Sequence, residues 1–302
     1  MINDIDLTPT CTLEKISGRA GVLQVRAWGE EEGAKATLLL VHGLGAHSAW
    51  FEAMGRLLAG QGFRVYAYDQ KGFGSRSMEE LHSYKEWIED LKGVVAELKK
   101  CSAPSQDGSS RPFFLMGNSM GALVVMAAAQ EMQSVDGIVI FSPGFEGFPG
   151  TFTLPYKVKA VLSALLAPSK DVHLPYTMDL VTRDLSVRKY LANDEIKKMA
   201  VPGRMLTELL KLSNTVVASL KAVNVPVLMF TAGVEKIVNN VVNMRLFEKL
   251  QAPSKEHIHM TEAWHDLMFD PLVDEVADRS ASWIRSKIGG EKETCLSSPE
   301  SK

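Results

Sequence analysis

The sequence lacks the features that would tie it to several large protein classes. No stretch approaches the ~18 consecutive apolar residues of a membrane-spanning helix. Its opening residues, Met-Ile-Asn-Asp-Ile-Asp-Leu-Thr-Pro, have neither the basic start nor the apolar core of a secretory signal. Basic charge is not in excess, with 33 Lys and Arg against 36 Asp and Glu for a net charge of −3. A polyanion therefore meets no attractive field, and nucleic acid is excluded as an expected partner. Only three cysteines occur, Cys11, Cys101 and Cys295. They are odd in number, widely spaced and outside any C-x-x-C pair, so they imply ordinary thiols in a reducing compartment. A Walker motif and a dinucleotide fingerprint are absent as well. The expectation is a cytoplasmic protein that needs no cofactor and no metal.

What is present is enough apolar residue for a full core, 46% of 302. Short apolar runs at 23–27, 37–41, 64–68, 113–116 and 137–141 alternate with amphipathic stretches. Among these stretches, Trp50, Met54, Leu57 and Leu58 share one helical face, and Trp87, Leu91, Val94, Val95 and Leu98 share another. This alternation predicts parallel strands joined by crossover helices, an α/β fold with a mostly parallel central sheet flanked by helices. From 144 to 220 the pattern is helical with no clear strand, and the sheet resumes at 226–231 and ends at 256–260 before a last helix over 272–288. The predicted organisation is a core of residues 1–143 and 221–288, a helical cap insertion of residues 144–220, and a disordered tail over 289–302, where Ser, Glu and Lys dominate.

Gly117-Asn118-Ser119-Met120-Gly121 lies between the strand-like 113–116 and the helix-like 122–129. A strand, G-x-S-x-G and helix in that order form a nucleophile elbow, a turn so sharp that side chains at 117 and 121 would collide with adjoining backbone. Ser119 is the candidate nucleophile. A hydroxyl needs a base to take its proton, and histidine suits that task near neutral pH. Of seven histidines, His265 follows the last predicted strand, where the chain order serine, acid, histidine requires the base. His257 and His259 lie within that strand and read as packed or solvated side chains, with a metal pair as the lesser alternative. The acid should follow the penultimate strand, and Glu235 is the only carboxylate in the loop 232–239. A solvated Glu235 paired with Lys236 is the competing reading, with Asp266 and Asp270 as fallback acids. For the oxyanion, backbone donors are expected at Met120, just after the nucleophile, and at Leu44 in His42-Gly43-Leu44-Gly45. His42 reads as a scaffold residue that holds this loop.

Three motifs taken together, His42-Gly43-Leu44-Gly45-Ala46-His47-Ser48, Tyr68-Asp69-Gln70-Lys71-Gly72-Phe73-Gly74-Ser75 and Gly117-Asn118-Ser119-Met120-Gly121, resemble the monoglyceride lipase and lysophospholipase branch of the α/β hydrolases. The similarity spans about residues 20 to 287. It implies the α/β-hydrolase fold, Ser119, Glu235 and His265 as a catalytic triad, and the Leu44 and Met120 N–H groups as an oxyanion hole. The chain departs from that pattern at Asn118, where the branch has histidine, at Ala122, where it has glycine, and at Glu235, where it has aspartate.

In the insertion, Val158, Val161, Leu162, Leu165 and Leu166 form one apolar helical face after Phe145, Phe148, Phe152 and Leu154. The ordinary expectation is that this face packs on the catalytic domain. It would also suit an acyl chain, and Lys157 and Lys159 beside it would suit a phospholipid surface. The expected activity is hydrolysis of carboxylic esters of fatty acyl chains, a monoacylglycerol or lysophospholipid, through an acyl-serine. A broad carboxylesterase or thioesterase is the alternative within enzymes, and a non-catalytic small-molecule receptor on the same fold is the remote one.

Overall fold

The computed structural model describes residues 5–18, 21–104 and 108–288; the tail expected over 289–302 lies outside them. In chain order the elements are β1 (Thr12–Gly18), β2 (Gly21–Trp28), β3 (Thr37–Val41), α1 (Glu52–Gly60), β4 (Arg64–Tyr68), α2 (Lys85–Cys101), β5 (Phe113–Asn118), α3 (Met120–Glu131) and β6 (Gly137–Phe141). There follow α4 (Leu154–Leu166), β7 (Asp171–His173), α5 (Leu185–Asn193), β8 (Ala200–Pro202), α6 (Gly203–Ala218), β9 (Val227–Val234), α7 (Asn240–Lys249), β10 (Lys255–Trp264) and α8 (Val273–Ile288).

Among the described residues, eight strands form one sheet in the order β1-β2-β4-β3-β5-β6-β9-β10. The β1–β2 and β2–β4 pairs are antiparallel and every later neighbour is parallel. β3, β4, β5 and β6 are buried at every residue, because helices cover both faces of the sheet, so apolar side chains dominate them. On one face α2 and α3 cover the sheet, with Trp87, Leu91 and Leu98 in the core; on the other Met54, Leu58, Val276 and Ile284 of α1 and α8 do so. α3 is buried from Met120 through Ala129, which is why its sequence is apolar all round rather than on one stripe.

Between β6 and β9 the chain adds no strand to this sheet. It forms α4, α5 and α6 and, against the sequence expectation, a two-stranded antiparallel pair, β7 with β8. Three-residue strands are too short to leave a periodic signature. The α4 face also departs from expectation: α4 packs against α6, but its apolar face stays largely uncovered. None of its residues is buried, and Leu165 and Leu166 are 72% and 82% exposed. The amphipathic pattern gives the apolar stripe correctly but carries no information about what covers it.

The topology gathers the C-terminal ends of β3, β5, β9 and β10 at one edge, the place where open α/β sheets hold ligands. The register of β10 on β9 shifts between Met260 and Trp264, a bulge that re-aims the chain just before His265.

Candidate active site

Ser119 sits between β5 and α3 with φ 52° and ψ −112°, a conformation that costs an L-residue ~1–3 kcal/mol. Surrounding bonds hold it there. Its N–H donates to the Phe141 carbonyl at 2.9 Å, and its own carbonyl accepts from Gly144 at 3.1 Å and Ala122 at 3.2 Å. Glycine at 117 and 121 follows from space: a Cβ at Gly117 would lie 2.5 Å from the Gly121 carbonyl oxygen, and one at Gly121 only 2.1 Å from that of Val41.

His265 is buried at the end of β10, and its Nδ1 is 2.8 Å from Glu235 Oε2. Glu235, in the loop after β9, has a side chain only 3% exposed, and its Oε1 accepts from the N–H groups of Ile237 at 2.7 Å and Val238 at 3.1 Å. Lys236 does not pair with it; the Lys236 ammonium lies 5.2 Å from the centre of the Trp264 ring. Burial by itself would lower the His265 pKa, but the charge of Glu235, the hydrogen bond to it and the charge of Asp266 together hold it above the ordinary value. With Nδ1 engaged, Nε2 is the nitrogen left for proton transfer.

Ser119 and His265 line one cleft with Gly43, Leu44, Trp50 and Asn118, closed from the inserted segment by Tyr176, Met178, Val181 and Met199. Its volume is about 20 Å³, room for about one water molecule. Neither the Leu44 nor the Met120 N–H is used in a backbone hydrogen bond among the described residues. Two unused donors beside a serine at a helix N-terminus are the equipment for holding a developing oxyanion.

The loop that presents Leu44 is braced from beneath. His42 is buried; Gln70 N–H donates to its Nε2 at 3.0 Å, which leaves Nδ1–H to donate to the Gly43 carbonyl at 2.8 Å. Burial depresses its pKa to about 4, so the ring stays neutral and acts as a strut. Asp69 accepts from the N–H groups of Ser48 and Ser75, each at 2.8 Å. Burial would raise its pKa, but the neighbouring His42 and these donors hold it down at about 2. The inserted segment reaches the same loop: Lys198 N–H donates to the Gly45 carbonyl at 2.8 Å, and a Cβ at Gly45 would lie 2.3 Å from the Lys198 carbonyl oxygen. Asp194 also accepts from His47 Nε2 at 2.8 Å and Trp50 Nε1 at 2.7 Å.

Of the fallback acids, Asp266 lines the cleft and caps the turn Leu267–Phe269, while Asp270 is buried beneath it, accepting from the N–H groups of Trp264 and Leu272 and from Arg183. Neither bonds His265. His257 and His259 both face the Thr231 hydroxyl, at 2.8 and 3.0 Å, away from the cleft; among the described residues no group of three metal-ligating side chains occurs. The roles of Asp69, Gln70 and Asp194 are not visible in sequence. Asp69 and Gln70 stand in a motif, but the loop they brace is fixed only by the fold.

The chain matches the family described as "Serine aminopeptidase, S33" over residues 32–272. It belongs to that family. The chain is also similar to phospholipase YtpA of Bacillus subtilis, 23% identical over 80% of this chain and 92% of that protein. Human monoglyceride lipase is 24% identical over 80% of this chain and 79% of its own length. Among solved structures, the Saccharomyces cerevisiae monoglyceride lipase in complex with a substrate analogue superposes with a TM-score of 0.83 at 18% identity, covering 96% of this chain and 98% of that one. The monoacylglycerol lipase of Paleococcus ferrophilus gives 0.76 at 23%, covering 88% and 99%. This S33 family member is thus an α/β hydrolase, as its sequence motifs imply.

Proposed function

We propose that the protein is a serine-dependent carboxylic ester hydrolase that releases a fatty acid from a monoacylglycerol or a lysophospholipid. The buried Glu235–His265 pair, at the cleft that Ser119 also lines, is the observation that carries this reading. Ser119 Oγ attacks the acyl carbon while its proton passes to His265 Nε2, and the carbonyl oxygen becomes an oxyanion held by the Leu44 and Met120 N–H groups. Collapse breaks the bond to the alcohol, which leaves with that proton. Water then attacks the acyl-serine, giving a proton to Nε2 that returns to Ser119 as the fatty acid departs. Glu235 fixes the ring tautomer and stabilises the imidazolium.

An apolar lining of Leu44, Trp50, Met178, Val181, Met199 and Ile237 favours an acyl chain over a charged N-terminal amine. Burying such a chain contributes ~0.8 kcal/mol per methylene, enough to rank long esters above short ones. At its present size the cleft cannot hold a chain, so the segment of residues 144–220, as a cap, has to move to admit one. The second reading is a broad carboxylesterase or thioesterase, favoured by a cleft whose present volume selects no acyl length. The exposed α4 face, with Lys157 and Lys159 beside it, supports peripheral contact with a lipid surface. No helix among the described residues is long and apolar enough to cross a membrane.

The test is fatty-acid release from a panel of monoacylglycerols and lysophospholipids, with Ser119→Ala as control and p-nitrophenyl acetate, p-nitrophenyl decanoate and an aminoacyl p-nitroanilide as companions. The proposal expects long-chain release that Ser119→Ala abolishes. Equal turnover of acetate and decanoate would favour the second reading, and preferential cleavage of the anilide would refute both.

A further inference from the structure

Asn118 and Asp266 are the chain neighbours of the two side chains proposed to react: Asn118 precedes Ser119 and Asp266 follows His265. Both are 4% exposed and both line the cleft. Asp266 is fixed at two points. Its N–H donates to the Val181 carbonyl at 3.0 Å, and its Oδ1 accepts from the Met268 N–H at 3.2 Å. Asn118, the last residue of β5, carries a buried Oδ1 with no hydrogen-bond partner, although its amide group interacts with the Asp266 carboxyl.

A buried carboxylate is held in place by the donors that reach it, and Asn118 supplies one to Asp266. Burial lifts its carboxyl to about 6 against the opposing charge of His265, the Met268 N–H and the Asn118 amide, and Glu235 pushes it the same way as burial. The Tyr176 hydroxyl, from the inserted segment, is the remaining titratable group that interacts with it. The Asn118 Nδ2–H donates to the Asp266 carboxylate, which thereby gains a second donor beside the Met268 N–H.

We propose that Asn118 and Asp266 form a hydrogen-bonded clasp across the cleft that sets the separation of Ser119 Oγ and His265 Nε2. Both are positioning residues. The clasp rests on the reading of Ser119 as nucleophile and His265 as base.

Asn118→Leu, Asp266→Leu, their double variant and Asp266→Asn test it by steady-state hydrolysis of a soluble p-nitrophenyl ester. Misplacing reacting atoms by about an ångström costs on the order of 100-fold. Each leucine variant should therefore lose ~10–100-fold in kcat with KM nearly unchanged. The double variant should be no slower than the slower single one, since one clasp is broken only once. Asp266→Asn keeps an amide that can pair with Asn118 and should recover most of the lost kcat. It also removes a negative charge that holds the His265 pKa up, so the acid limb of kcat/KM should move to lower pH. Losses that multiply in the double variant, or Asp266→Asn as slow as Asp266→Leu with an unmoved pH limb, would overturn the clasp. Asn118→Asp sets two carboxylates face to face with little change of shape, so its kcat decides the matter if the leucine variants fail to fold: a loss of ~10-fold or more supports the clasp, and a kcat within about twofold of the parent would overturn it. Fluorophosphonate labelling of the unaltered protein separates the two ideas: a label absent from Ser119 removes the nucleophile itself, whereas a label on Ser119 with multiplying losses removes only the clasp.

Discussion

Replacing Glu235 by glutamine probes the proposed acid in a setting that leaves the new side chain one orientation. Oε1 accepts from Ile237 N–H at 2.7 Å and Val238 N–H at 3.1 Å, whereas Oε2 faces His265 Nδ1 at 2.8 Å. A glutamine amide offers one acceptor atom and one donor atom. The backbone donors require the acceptor at the Oε1 position; the reverse orientation would forfeit two hydrogen bonds of ~0.5–1.5 kcal/mol each and set donors against donors. The NH2 group must then face Nδ1 and make it an acceptor, which moves the ring proton to Nε2. An Nε2 that is already protonated cannot take the Ser119 proton. A wrong tautomer of this kind costs on the order of 10⁴-fold in kcat, or ~5.4 kcal/mol of barrier. Because the substitution is nearly isosteric and keeps the backbone contacts, the melting temperature should change little. The assay is kcat on a p-nitrophenyl ester beside a thermal melt. A folded Glu235→Gln protein with kcat within tenfold of the parent would refute the assignment.

Gly121→Ala would set a methyl 2.1 Å from the Val41 carbonyl oxygen, and backbone cannot step aside there; a loss of ~3 kcal/mol or more is expected, read as a sharp drop in the urea midpoint, and an unchanged midpoint would contradict the packing. His265 must be neutral to accept a proton and its pKa is held above 6.5, so kcat/KM should fall as pH drops through a value above 6.5; a limb well below 6.5 in the unaltered protein would show that another group titrates. Asp194→Ala strands the His47 and Trp50 donors in a buried position, for a loss of ~2–4 kcal/mol and a melting temperature several degrees lower; an unchanged melt would show that this contact does not hold the inserted segment.

Central strands were legible because helices cover both their faces, so 37–41, 64–68 and 137–141 stand out as mostly apolar runs and match β3, β4 and β6 in extent. β1 gave no such signal. It is an edge strand whose Ile16 alone is buried among its described side chains, and Thr12, Glu14 and Lys15 read as loop. β10 continues past its expected end at 260 because a bulge carries it to Trp264, a matter of pairing rather than composition. In the site, Ser119 and His265 could be singled out by their places after particular strands. The link from His42 to Gln70 and that from Asn118 to Asp266 could not, since each joins residues that only the folded sheet brings together.

The attachment of the inserted segment to the loop after β3 ties access to readiness. Lys198 N–H grips the Gly45 carbonyl at 2.8 Å and the Tyr176 hydroxyl reaches the Leu44 carbonyl at 3.4 Å, so the two peptide units that follow the Leu44 N–H are tethered to the element that closes the cleft. Whatever swings that element outward tugs on the same stretch of backbone. On the proposed mechanism, entry of a guest and full arming of the proposed oxyanion donor become successive stages of a single stroke, which spares Ser119 from idle encounters while the door stands ajar.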